Sequence, residues 1–103
     1  MNKYLLISDP GHGWLRVPTL EVIRLKIADK ISTCSYIDWD GRSVYLEEDC
    51  DMAIFARAKG WESGTLHNHI DEVFQDPCKI RDMPVFIGKH YTPKGVSQFM
   101  EMA

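Results

Sequence analysis

The residues best suited to chemistry fall in a few short clusters. Asp9-Pro10-Gly11-His12-Gly13-Trp14 sets a titratable imidazole between two glycines, beside a large aromatic ring. Glycine lets a backbone or ligand approach closely, so such a turn makes His12 reachable. There it could serve as a general base, a ligand or a polar anchor, and Gly11 and Gly13 could cradle an anion. Phosphate loops normally deliver their ligand to a helix N-terminus, whereas an extended segment follows here. The plainer alternative is a strand-connecting turn whose imidazole bonds nearby backbone. Loops carry function disproportionately, so recognition and bracing stand level for this turn.

His67-Asn68-His69-Ile70-Asp71 is the second cluster. Two histidines one residue apart share a strand face and could reach one metal ion. The run resembles the His-x-His-x-Asp-His signature of metallo-β-lactamase-type hydrolases. Glu72 stands where the final histidine belongs, and the chain is too short for that fold, so the match is taken as accidental. Pro77-Cys78 also fails as a zinc-deaminase motif, because Arg81 occupies the second cysteine's place. What remains is a generic zinc site drawn from His12, His67, His69 and one of Cys50, Cys78 or Asp71. The acid run Glu47-Glu48-Asp49-Cys50-Asp51 precedes a helix-forming stretch. It is read as capping carboxylates rather than as a metal or partner site. A nucleophile elbow of the Gly-x-Ser-x-Gly kind is missing, and no cysteine–histidine spacing has independent support.

Aromatic residues offer a different use. Trp14, Trp39, Trp61, Tyr36, Tyr45 and Tyr91 are many rings for 103 residues. Most belong in a core, but tryptophan and tyrosine also dominate binding hot spots. Trp14 in the turn and Trp39 beside a hairpin tip are expected to be partly exposed.

These clusters need elements to position them. Lys3–Ser8 reads as a buried strand, and Trp14-Leu15-Arg16-Val17 alternates as a second, ended by Pro18. Leu20, Ile23, Ile27 and Ile31 fall at helical spacing, which predicts a helix over 19–30 with Thr19 as N-cap. Asp40-Gly41 between the β-rich runs 33–39 and 42–47 predicts a type I′ hairpin. Residues 52–59 predict a second helix closed by Gly60. Further on, 61–64 reads as loop, 65–70 as extended, 71–76 as a helical turn and 83–87 as a strand. Residues 88–95 are turn-rich, and 96–103 read as a short helix or a frayed end. The expected architecture is α+β: one domain, residues 1–103, with a small mostly antiparallel sheet, a central Asp-Gly hairpin and two helices on one face.

Composition narrows the function classes. Hydrophobic residues make up 45% of the chain, enough for a core and against wholesale disorder. No apolar run approaches the ~18 residues of a membrane span, and the N-terminal run is too short for a signal peptide. A net charge of −3 argues against sequence-independent nucleic-acid binding. Three cysteines, an odd number, argue for reduced and buried thiols rather than a disulfide framework. A cytoplasmic protein is expected.

Two stretches carry a family likeness. Asp9-Pro10-Gly11-His12-Gly13-Trp14-Leu15-Arg16-Val17-Pro18 and Tyr45-Leu46-Glu47-Glu48-Asp49-Cys50-Asp51 resemble a family of small uncharacterised open reading frames from bacteriophages and mobile elements. Ile27-Ala28-Asp29-Lys30-Ile31-Ser32 and Ser35-Tyr36 fit the same picture. The likeness covers the first half only and brings no catalytic residues or cofactor with it. It implies expression inside a bacterial host, where small phage proteins often bind and inhibit host machinery, including defence systems.

The leading expectation is therefore a non-enzymatic binding module, without cofactor, that docks on a host protein. Gly11, His12, Gly13, Trp14, Trp39, Arg42 and Trp61 would form or flank its surface. The oligomeric state, homodimer included, is left open. Two alternatives stand beside it: a small metal-dependent hydrolase or metal-stabilised domain using His12, His67 and His69, and a protein that sequesters a nucleotide through the Gly-His-Gly turn.

Overall fold

The computed structural model describes residues 3–91. Five strands, β1 (Tyr4–Ser8), β2 (Gly13–Pro18), β3 (Tyr36–Ile37), β4 (Ser43–Glu47) and β5 (Ile70–Phe74), form one sheet in the order β3-β4-β2-β1-β5. All pairings are antiparallel except β1 with β5, which run parallel. Two short helices, α1 (Thr19–Arg24) and α2 (Met52–Ala58), complete an α+β fold. No helix among the described residues is long and apolar enough to cross a membrane.

Alternation along β2 and β4 sorts their side chains between the two faces of the sheet. Leu15, Val17, Val44 and Leu46 bury on one face, against Val22 of α1 and Phe55 of α2. Trp14 and Tyr45 point the other way and pack with Ile7, Cys78 and Ile80. Both helices thus cover one face, as expected. The second face is closed by an irregular segment around the 3₁₀ turn Lys79–Asp82.

The hairpin between β3 and β4 forms where Asp40-Gly41 places it, but with a different turn. Asp38 N–H donates to Ser43 O (2.8 Å) and Gly41 N–H to Asp38 O (2.9 Å), so four residues make the loop. A type I′ turn needs positive φ at two residues, and here only Gly41 has it (φ 76°). The end of α2 follows expectation closely. Gly60 (φ 75°) donates to Arg57 O and Trp61 to Ala56 O, a Schellman closure. Trp61 then packs its ring edge-on against Phe55 at 5.6 Å.

Other expectations fail for tertiary reasons. The helix over 19–30 stops at Arg24, Lys26 turns left-handed (φ 58°), and Ala28–Lys30 winds as 3₁₀. The break lets Val22, Ile27 and Ala28 all reach the core, which one straight helix could not do, and it leaves Leu20 61% exposed. Thr19 is no N-cap: Pro18 holds that position, and Thr19 Oγ1 donates to Gly41 O (2.7 Å), tying α1 to the hairpin tip. Residues 71–76 form no helical turn, because Ile70–Phe74 pairs with the edge of β1. The extended reading of 65–70 gives way to a 3₁₀ turn at Leu66–Asn68. The strand expected at 83–87 reduces to one bridge, Val85 with Tyr36, since β3 is only two residues long. The expected tail structure at 96–103 lies outside the described residues.

Glu21 links three elements. Its carboxylate accepts from Tyr4 Oη of β1 and pairs with Lys59 Nζ beyond α2 at 2.7 Å. Burial pushes the Glu21 carboxyl up, but the bonds from Lys59 and Tyr4 outweigh it and hold it below its ordinary value of 4.5. A lowered folded value stabilises the fold above the unfolded value, and that contribution disappears as pH falls through the folded one. The wild type should therefore lose stability below about pH 4.5. Glu21→Gln should lack that part of the acid loss and, at neutral pH, be weaker by on the order of 1 kcal/mol. Urea midpoints at pH 7 and pH 3 for both chains check this, and parallel acid losses would refute it.

Candidate functional site

The turn from β1 to β2 is built around Asp9. Its Oδ1 accepts the backbone N–H groups of Gly11 (2.9 Å) and His12 (2.8 Å), while Arg81 Nε donates to Oδ2 at 2.8 Å. The Arg81 guanidinium holds the Asp9 carboxyl well below the usual carboxylate range. Those two N–H groups are spent on Asp9 and are not turned toward an outside anion. Neither glycine has positive φ; their lack of a Cβ lets charged side-chain ends lie close instead. A Cβ on Gly11 would sit 3.3 Å from the Arg81 guanidinium, and one on Gly13 would sit 2.8 Å from Glu48 Oε2.

Trp14 is 2% exposed, against the expectation that it faces solvent. Strand β2 already begins at Gly13, so Trp14 obeys the alternation and points under the Cys78–Met83 segment. Arg81 lies over its ring at 5.1 Å. Its indole Nε1 is buried with no hydrogen-bond partner among the described residues.

Register places His12 beside the acid run. Trp14 pairs with Glu47, which sets the last residue of β4 next to the turn. His12 Nδ1 stands 3.3 Å from Glu47 Oε1. The other Glu47 oxygen accepts Asp49 N–H (2.9 Å) and Cys50 N–H (2.8 Å). Burial raises the Glu47 carboxyl, but the bonds from Cys50, Asp49 and His12 win and leave it lowered. Ligand atoms of His12, Glu47 and Asp49 all lie within 4.8 Å of one another. They open on a cleft of about 280 Å³ that Trp14, Cys34 and Cys50 also line.

The acid run does not cap α2, contrary to expectation. No side chain bonds its first turn, although Asp51 holds the N-cap position. Asp51 is 1% exposed and turns inward, where it accepts from Ser32 N–H (2.9 Å), Ser32 Oγ (2.8 Å) and Ser35 Oγ (2.5 Å). Sequence reasoning weighed these acids only against their own helix, and their partners are distant in the chain.

Cys34 and Cys50 are exposed and only Cys78 is buried, so the expectation of buried thiols holds for one of three. Cys50 Sγ lies 3.4 Å from Cys34 Sγ. Hydrogen bonds to Cys34 and Glu47 push the Cys50 thiol up to about 12, which makes it a poor nucleophile at neutral pH.

The remaining candidates lie elsewhere. His67 sits in the 3₁₀ turn Leu66–Asn68, with His69 capping it, so they do not share a strand face. His69 stacks on Trp61 at 4.5 Å with the rings 2° apart, beside a hollow of about 640 Å³. His69 O accepts Tyr4 N–H at the start of β1, whereas His12 follows the end of that strand. No zinc site therefore joins His12 with His67 and His69. Cys78 is buried beneath Trp14, and Asp71 is exposed and pairs with Lys3 at 3.7 Å. Trp61 is half-buried between Tyr4 and Phe55. Trp39 is 71% exposed, as expected, and Arg42 beside it is also exposed, 3.7 Å from Asp40.

Comparison with protein-family models, with curated proteins and with solved structures finds no match for this chain.

Proposed function

We propose that the chain is a small phage-type accessory protein, a non-enzymatic module that docks on a bacterial host protein and inhibits it. The observation that carries this reading is Trp39. A large indole held 71% in solvent gains nothing for the fold. Exposed tryptophans of this kind anchor protein interfaces. Its hairpin is braced: Thr19 bonds Gly41 through Oγ1 and Arg42 through N–H, so Trp39 is presented from a loop tied to α1. The next residue of that helix, Leu20, is itself 61% exposed and adds apolar area at the same end of the sheet. Arg42 supplies a charged neighbour. Trp14 and the Gly11–Gly13 turn leave this surface, because Trp14 is buried and the turn lies at the opposite end of β2.

Trp39→Ala tests the reading. Its folding stability should stay within about 0.5 kcal/mol of wild type, since it removes a surface side chain. Tagged wild-type chain should recover a stoichiometric protein from host lysate and inhibit that protein once both are purified. Trp39→Ala should lose both properties. Equal recovery and inhibition by the variant would overturn the reading.

A further inference from the structure

We propose that His12, Glu47 and Asp49 form a binding site for one divalent transition-metal cation. The site lies at the end of the sheet remote from Trp39, and it is independent of the docking surface.

Geometry carries the proposal. His12 Nδ1 and Glu47 Oε1 are 3.3 Å apart. A cation about 2.1 Å from each would see them at roughly 105°, close to the tetrahedral angle that zinc prefers. The two groups already stand at the separation of neighbouring ligands. Asp49 belongs to the same group of atoms and is exposed, so its carboxylate can rotate onto a cation without moving the fold. Three protein ligands and an open side match the pattern of sites that keep a position for water or a further ligand.

Preorganisation supports it. Glu47 is 5% exposed, and its second oxygen is fixed by two backbone N–H groups. The first oxygen is thereby held facing His12 Nδ1. His12 is held by the Asp9 clamp on its own N–H. A first shell fixed by second-shell bonds is how proteins tune metal affinity.

Charge supports it as well. Glu47, Glu48 and Asp49 follow one another in the chain, so carboxylates are concentrated beside this cleft. Arg81 lines the same cleft and is engaged by Asp9. A bound dication would relieve that excess. One imidazole and two carboxylates favour zinc, manganese or cobalt over copper(I), which wants sulfur. Cys34 and Cys50 line the same cleft, but they fall outside the three-residue group.

The test titrates chelator-treated full-length protein with zinc and with cobalt chloride, followed by calorimetry and by cobalt absorption. The expected result is one cation per chain, with ligand-field bands and no thiolate charge-transfer band. His12→Ala and Asp49→Asn, both at exposed positions, should each weaken binding by about tenfold or more. The Cys34→Ser, Cys50→Ser double variant should bind as wild type does. Three outcomes overturn the proposal: no saturable binding, undiminished binding in both the His12 and Asp49 variants, or loss confined to the cysteine variant.

Discussion

Asp51→Ala is expected to remove about 3–5 kcal/mol of stability, which is much of the margin of a domain this size. The carboxyl group accepts three hydrogen bonds from the Ser32–Ser35 loop and is almost wholly out of water. A buried polar group left without its partner costs about 1–3 kcal/mol, and losses within one network do not simply add. Alanine would forfeit all three bonds and strand their donors. Ser35 Oγ also accepts Glu47 N–H at 3.0 Å, so the damage spreads to the end of β4. Urea denaturation should show a much lower midpoint. Asp51→Asn keeps one acceptor oxygen and should fall between the two. A double-mutant cycle of Asp51 with Ser35 should give a coupling above about 1 kcal/mol. A loss below about 1 kcal/mol in Asp51→Ala would show that the loop finds other partners.

Gly88→Ala is the second large effect. A Cβ at Gly88 would lie 1.6 Å from Ala28 O and 2.6 Å from its carbonyl carbon. Both are backbone atoms, so no side-chain rotation relieves the overlap. Two 3₁₀ turns, Ala28–Lys30 and Gly88–Tyr91, must part, and Phe86 and Ile27 lie in the core beside them. Overpacking ordinarily costs about 1–3 kcal/mol, and a backbone clash of this depth should reach the top of that range or exceed it. Gly13→Ala is the control. Its Cβ would meet Glu48 Oε2 at 2.8 Å, but that is the far end of a flexible side chain and can swing away. Equal midpoints for Gly88→Ala and wild type would refute the packing argument.

What could be read in the chain follows from how local each signal is. Asp40-Gly41 and Gly60 act on their immediate neighbours, and both mark their turns correctly. The alternation in β2 and β4 was equally legible, because it belongs to each strand alone. Strand β5 was not: Ile70-Asp71-Glu72-Val73-Phe74 does not alternate, and its partner β1 begins with Tyr4, paired to Ile70 across the whole fold. The acids at 47–51 obeyed a sound local rule and were claimed by remote groups instead. Asp51 went to Ser32 and Ser35, and Glu47 to His12. Trp14 was misplaced because the segment that buries it, Cys78–Met83, has no periodicity to announce it. His12 was singled out correctly as a reachable side chain, but its neighbours could be known only once β2 and β4 were in register.

The three indoles occupy three unlike surroundings. Trp14 is sealed beneath Arg81 with His12 5.9 Å away, Trp61 is stacked on an imidazole, and Trp39 stands in solvent. The protein thus carries an optical probe at each of its regions of interest. A quencher dissolved in the buffer reaches Trp39 and is kept from Trp14. Changes at the His12 end and at the hairpin tip can then be followed separately by their emission, without adding a label to the chain.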